Sequence, residues 1–107
     1  MDHKREAQPE RRRHRRYLCS HLVEVTSDGI SQTALLEDIG PGGAGLALDA
    51  LLKAGTVVEM CAGGFRVRAE VRYGLRRETD FRAGLEFTEG FEWSREVWTP
   101  EHLWRPD

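Results

Sequence analysis

Two short stretches of the chain contain residue types that could bind a nucleotide. Residues 11–16, RRRHRR, hold five arginines in six positions, and residues 38–45, DIGPGGAG, join an aspartate to four glycines. Arginine pairs in a bidentate manner with phosphate and with the O6/N7 edge of guanine, and its plane stacks on bases. The carboxylate of Asp38 can accept two hydrogen bonds, for instance from guanine N1–H and N2–H₂, and glycines let a ligand approach the backbone. Together they suggest a guanine-nucleotide site, whereas on spacing alone a solvated arginine tail and an ordinary glycine turn remain the alternatives.

The distribution of charge separates the start of the chain from the rest. Residues 1–16 contain seven Lys/Arg and three Asp/Glu, a net charge of +4, whereas the remainder contains nine and fifteen, a net charge of −6. A basic N-terminal segment on an otherwise acidic chain is not a general nucleic-acid-binding surface. We therefore expect the positive charge to bind a ligand at one local site. At 107 residues, 39% of them hydrophobic, the chain fits one small domain with a modest core.

From Tyr17 onward the pattern is one of short β-strands separated by glycine turns. Residues 28–29, Asp-Gly, are a strong signal for a two-residue hairpin, and residues 62–64, AGG, predict a second hairpin turn. Residues 38–45 are expected to interrupt regular structure, because glycine and proline crowd there.

The alternation of apolar and polar residues is clearest in residues 65–73, FRVRAEVRY, and it recurs in residues 81–87, FRAGLEF. The first segment predicts one inward face, formed by Phe65, Val67, Ala69, Val71 and Tyr73. Strand signals at this spacing indicate a small antiparallel barrel or sandwich. A barrel is favoured because closure leaves no open edge.

The C-terminal residues 91–107 differ in composition and contain all three tryptophans, Trp93, Trp98 and Trp104. Thr99-Pro100-Glu101 combines an N-cap residue, a proline at the first helical position and an early acid, which predicts a short helix. The tryptophans either cap the open end of the barrel as core or form a docking surface, and we expect the first for at least one of them. The chain is thus divided into a flexible lead-in (1–10), a barrel domain with the basic segment (11–90) and a partly helical tail (91–107).

Nothing in the sequence suggests an enzyme or a metal site. The four histidines lack metal-ligand spacing, and no serine or threonine lies beside an evident base. Glu37 and Asp38 are neighbours in a predicted strand, so their side chains are expected on opposite faces.

Cys19 and Cys61 match no zinc or redox motif and fit reduced thiols. Without a secretory signal or an apolar run long enough for a bilayer, the expected location is the cytoplasm.

The order and spacing of these motifs resemble the PilZ domain, the bacterial receptor module for cyclic di-GMP. The family motif RxxxR, just before the first strand, is matched by Arg12–Arg16. The motif [D/N]xSxxG, after the second strand, is matched by Asp38–Gly43 with one departure. Residues 52–60 and 81–87 also resemble family strands, so the similarity covers roughly residues 10–90. It implies an all-β fold, a small six-stranded antiparallel barrel with a short C-terminal helical tail.

The resemblance also implies roles for individual residues. Arg12 and Arg16 would contact phosphates and guanine Hoogsteen edges and would stack on the bases. Asp38 would bind a guanine edge, and Gly43 would keep the turn open. The residue before RxxxR bears on ligand stoichiometry in this family, and Arg11 at that position is compatible with two intercalated cyclic di-GMP molecules per site.

Gly40 is the departure, because the family has serine there. The missing hydroxyl contact is worth roughly 0.5–1.5 kcal/mol, or up to about tenfold in affinity. The sequence leaves open whether Gly40 has a positive φ, which would strain a serine.

Three functions follow from the sequence. The leading hypothesis is a cyclic di-GMP receptor or adaptor, not an enzyme. Its basic segment 8–16 orders over the ligand, bridges to Asp38 and signals to an unidentified partner protein. The alternative is a PilZ-fold interaction module that has lost nucleotide binding and docks through the tryptophan tail. A nucleic-acid binder is least favoured, because the body is acidic and no aromatic platform adjoins the arginines. A membrane is not an expected partner.

Overall fold

The computed structural model describes residues 16–105, so the predicted lead-in and the arginines before Arg16 lie outside the described residues. Six strands are present: β1 (Tyr17–Ser27), β2 (Ile30–Gly40), β3 (Gly43–Leu48), β4 (Val57–Ala62), β5 (Phe65–Arg76) and β6 (Phe81–Phe87). They form a closed barrel in the order β1-β2-β3-β6-β5-β4, and all neighbours are antiparallel. The predicted six-stranded barrel is confirmed. No helix among residues 16–105 is long and apolar enough to span a membrane.

Tight turns join the two strands of each hairpin where the sequence predicts them. Asp28 (φ 53°) and Gly29 (φ 79°) both have left-handed backbone between β1 and β2, which an Asp-Gly pair tolerates well. Gly63, with φ 60°, begins the turn between β4 and β5.

Alternating side chains of the strands fill the barrel. In β5, the predicted inward residues from Phe65 to Val71 are buried and the arginines between them are exposed. The prediction for Tyr73 is wrong. The pairing of β5 with β6 shifts between Val71 and Tyr73, so Tyr73 lies on the outside, opposite Gly84.

The predicted break over residues 38–45 is also wrong, because the sheet continues through most of this glycine-rich segment. β2 extends to Gly40 and β3 begins at Gly43, which leaves a two-residue turn between them. A Cβ at Gly43 would lie only 2.1 Å from the backbone oxygen of Leu85 in β6. Glycine therefore allows close packing of strands here, where the composition predicts a loop.

The tail contains turns, and the short helix predicted from Thr99 is absent from its described part. The backbone groups of this segment bond to β1 instead. The carbonyl of Glu101 accepts a hydrogen bond from the amide of Ser20 (3.1 Å). Leu18 and Trp104 exchange both backbone bonds (2.8 and 2.9 Å). Pairing with the neighbouring strand has overridden the local helix signal.

The tryptophans divide between core and surface. Trp93 is 2% exposed, packs edge-on against Tyr17 and donates its indole N–H to the carbonyl of Trp98 (2.9 Å). Trp98 is half-buried and stacks on Phe65, with ring centroids 4.7 Å apart. Trp104 is 56% exposed. The expectation that at least one tryptophan belongs to the core is confirmed by Trp93.

Candidate functional site

A bulge in β2 places two adjacent carboxylates on the outer surface of the barrel. Leu36 and Ile39 are both fully buried, although inward residues of a regular strand are two positions apart. The pairing of β2 with β3 shifts between Leu36 and Asp38. As a result, Glu37 and Asp38 both accept hydrogen bonds from Arg82 of β6, outside the barrel. The prediction that Glu37 and Asp38 take opposite faces is therefore wrong.

Asp38 connects the two sequence motifs. It is only 7% exposed, and its Oδ1 accepts a hydrogen bond from Nη1 of Arg16. The Arg16 guanidinium also lies beside Gly43, because a Cβ at Gly43 would stand 3.4 Å from Nη2 of Arg16. Gly40 pairs with Gly43 across the turn. Four of the predicted site residues thus lie together at the ends of β2 and β3 and just before β1.

A residue that the sequence did not reveal, Arg82 of β6, occupies the second oxygen of Asp38. Its Nη2 donates to Oδ2 of Asp38 (2.9 Å), its Nη1 to Oε1 of Glu37 (2.8 Å) and its Nε to the hydroxyl of Tyr73 (3.1 Å). Burial acts to lower the pKa of Arg82, but the hydrogen bond to Tyr73 and the charge of Asp38 outweigh it and raise the pKa. The guanidinium is therefore charged, and hydrogen bonds from all three nitrogens fix its orientation.

Two glycines provide the space for this arrangement. Gly45 pairs with Asp38 on one side and with Gly84 on the other. A Cβ at Gly45 would lie 2.2 Å from Nη2 of Arg82, and a Cβ at Gly84 would lie 2.2 Å from the ring of Tyr73. The guanidinium of Arg82 and the phenol ring of Tyr73 therefore pack closely against glycine backbone, which we call the glycine floor. Alternation places Arg82 outside the barrel, but only the strand order shows that it faces Asp38.

The ion pairs continue beyond Glu37. Arg77 donates to Oε2 of Glu37 (3.0 Å) and to Oδ1 of Asp80 (2.8 Å). The hydrogen bonds to Asp80 and then to Glu37 raise the pKa of Arg77, and the hydrogen bond from Arg77 lowers the pKa of Asp80. Three arginines and three carboxylates thus alternate along one line: Arg16, Asp38, Arg82, Glu37, Arg77 and Asp80. Their formal charges cancel.

The remaining predicted residues have mixed outcomes. Arg11 and Arg12 lie outside the described residues, so their roles stay predictions. Gly40 is not among the described glycines with positive φ, and it is the last residue of β2. Residues 16–105 contain no group of three His, Cys, Asp or Glu side chains that could hold a metal ion. Cys19 and Cys61 are both free thiols.

Comparisons with known proteins address the family and the fold. A family model of the PilZ domain matches residues 10–93. The chain is similar to the Bacillus subtilis inhibitor of motility MotI/DgrA, with a TM-score of 0.61, 15% identity, and coverage of 80% of this chain and 46% of that one. It is also similar to PlzA of Borreliella burgdorferi in complex with cyclic di-GMP, with a TM-score of 0.60, 14% identity, and coverage of 80% and 38%. The chain spans less than half the length of either protein, and at these identities the likeness concerns the fold. A search of curated proteins gives no match.

Proposed function

The chain belongs to the PilZ domain family, and we propose that it is a receptor for cyclic di-GMP that signals to a partner protein. The observation that carries the proposal is the ion pair between Arg16 and Asp38, which joins the RxxxR motif to the motif at the end of β2. A guanidinium offers the donors that phosphate and the guanine Hoogsteen edge require, and a carboxylate accepts from the guanine Watson–Crick edge. The similar structure of PlzA contains cyclic di-GMP, which supports the choice of ligand.

Binding in this proposal proceeds by exchange at Asp38. Each carboxylate oxygen holds one arginine, and a carboxylate has about four lone-pair positions. Because Asp38 is only 7% exposed, a guanine needs the space that Arg16 occupies. Arg16 therefore moves from the carboxylate to a phosphate or to the Hoogsteen edge, and Arg82 keeps the carboxylate oriented. One charge-assisted hydrogen bond replaces another, so the exchange itself costs little.

The attraction for the ligand comes from the arginine run. The six charged residues of the described network cancel, whereas cyclic di-GMP carries two phosphates. Arg11, Arg12 and their neighbours supply the positive potential, and residues 8–16 order over the ligand as they neutralise it. This ordering presents a changed surface to the partner, and Arg11 allows a second, intercalated ligand. The proposed setting is the cytoplasm.

Calorimetric titration of the full chain with cyclic di-GMP tests the proposal. Arg12→Ala, Arg16→Ala and Asp38→Asn should each lose roughly 1–3 kcal/mol of binding, which is about 5- to 150-fold in affinity. Arg66→Ala is the matched control, since Arg66 is an exposed arginine of β5 that pairs with Glu59. Cyclic di-AMP should not compete, because adenine has no N1–H to donate to Asp38. Wild-type affinity in the motif variants, or equal binding of both dinucleotides, contradicts the proposed site.

The second candidate function is a PilZ-fold interaction module without a nucleotide. Gly40 in place of serine and the exposed indole of Trp104 favour it. It predicts no saturable binding of cyclic di-GMP by an intact barrel, so the same titration decides between the two functions.

A further inference from the structure

A row of paired residues crosses the outer surface of the barrel and ends at a tryptophan. Asp38 pairs with Leu18 of β1, and Leu18 pairs in turn with Trp104 through two backbone hydrogen bonds. Residues directly opposite one another on neighbouring strands have their side chains on the same face. The carboxylate of Asp38 and the side chains of Leu18 and Trp104 therefore share the outer face. Because opposite Cα atoms are about 4.5–5.5 Å apart, Trp104 lies roughly 10 Å from Asp38.

The indole ring of Trp104 has no evident structural role. It is 56% exposed, and in the described part of the chain no other ring contacts it. The indole lines a pocket of about 300 Å³ together with Tyr17, Leu103, Arg95 and Arg105. An exposed aromatic face beside two cations is the combination that binds bases by stacking and phosphates by charge.

We propose that Trp104 is a stacking residue for the ligand, and that its indole packs against a guanine base held at Asp38. The inference rests on the proposed function and extends the site to the C-terminal segment, which contains neither sequence motif. Leu18 forms an apolar floor between the carboxylate and the indole. Arg95 and Arg105 line the same pocket as Trp104 and offer positive charge to the phosphates of a ligand that stacks there.

The position of Trp104 also links the ligand to both ends of the domain. Trp104 is bonded to Leu18, two residues after Arg16. A ligand that draws Arg16 from Asp38 therefore touches the segment before β1 and the C-terminal segment at once. The base contacts the tail through the indole, and the phosphates contact the arginine segment.

The test combines calorimetry with tryptophan fluorescence on the full chain. With cyclic di-GMP as the probe, Trp104→Ala should bind about 5- to 150-fold more weakly, the effect of removing one base-stacking contact. Trp104→Phe should keep most of the affinity, because it keeps an aromatic face. The control is Val97→Ala, since Val97 is another exposed apolar residue of the tail, and its affinity should equal that of the wild type.

Fluorescence separates stacking from a structural effect. The ligand should quench the emission of the wild type, and this quench should disappear in Trp104→Phe although the variant still binds, because Trp93 and Trp98 are packed in the protein. The melting temperature should not change, since the indole is exposed. Wild-type affinity in Trp104→Ala, or a quench that survives in Trp104→Phe, overturns the inference and leaves the proposed function in place. Absence of saturable binding by the wild type overturns both.

Discussion

Replacing Gly45 with alanine tests whether the missing side chain on β3 is what allows Arg82 to reach Asp38. A Cβ at position 45 would lie 2.2 Å from Nη2 of Arg82, 2.6 Å from its Cζ and 2.7 Å from Oδ2 of Asp38. Atoms cannot remain this close, so a group must move. The guanidinium is the end of a flexible side chain, whereas the barrel backbone is held by hydrogen bonds on both sides. We therefore expect the variant to fold with Arg82 displaced from the carboxylate.

The cost follows from the bonds that are lost. Arg82 donates to Asp38 at 2.9 Å and to Glu37 at 2.8 Å, and hydrogen bonds to charged groups contribute about 1.5–3 kcal/mol each. Asp38 keeps Arg16 and Glu37 keeps Arg77, so neither carboxylate is left without an arginine. With a discount for the partial exposure of these side chains, the free energy of unfolding should fall by about 1–3 kcal/mol. For a domain near this size, each kcal/mol lowers the melting temperature by roughly 4–8 °C.

A double-mutant cycle in urea or thermal unfolding isolates the interaction. Gly45→Ala should cost less in an Arg82→Ala background than in the wild type, because the two closest clashing atoms are then gone and only Oδ2 of Asp38 remains near the new Cβ. Gly42→Ala is the neutral control, since a Cβ there meets nothing within 4 Å. Gly43→Ala should be more damaging, because its Cβ would strike the backbone oxygen of Leu85. Equal costs of Gly45→Ala in the two backgrounds would refute the reasoning.

Two further predictions concern the turn and the thiol beside the site. Gly40→Ser should tighten cyclic di-GMP binding by up to about tenfold in calorimetry at an unchanged melting temperature, because Gly40 is a strand residue without positive φ; weaker binding would contradict this. Burial and then the charge of Asp38 raise the pKa of Cys19 to about 12, so the thiolate should stay at or below about one in a thousand up to pH 9. Iodoacetamide labelling followed by mass spectrometry should therefore be slow at Cys19 in the native chain at pH 8 and fast in denaturant, and rapid native labelling would argue against this environment.

The strands and turns of the barrel could be predicted from sequence because their signals are local, whereas the six-stranded barrel was implied by the resemblance to the PilZ domain. The Asp28-Gly29 turn depends on the backbone freedom of two residues, and the inward face of β5 depends on alternation within one strand. The two motifs also lie together, as far as the described residues extend, because Arg16 reaches Asp38 and Gly43.

The errors arise where pairing between strands decides the outcome. Single-residue shifts in the ladders turn Tyr73 outward and bring Glu37 to the same side as Asp38, and no local pattern marks either bulge. Arg82 faces Asp38 because the strand order places only β3 between β6 and β2, and no local pattern in the sequence indicates that order. The local sequence at Thr99 favours a helix, but the backbone of Glu101 and Trp104 forms hydrogen bonds with β1 instead.

The two arginines on Asp38 come from different parts of the chain, and under the proposed function we expect this difference to determine which part responds to a ligand. Arg82 lies within β6, donates from three nitrogens and rests on the glycine floor. Arg16 precedes β1 and is outside the closed ladder. Under the proposed function, we expect a guanine edge that competes for Asp38 to displace Arg16 before Arg82, because Arg16 precedes β1 whereas Arg82 lies within the sheet. Because Trp104 is bonded to Leu18 in the same region, the responsive surface should lie where the two terminal segments meet, and a partner that senses the ligand should bind there.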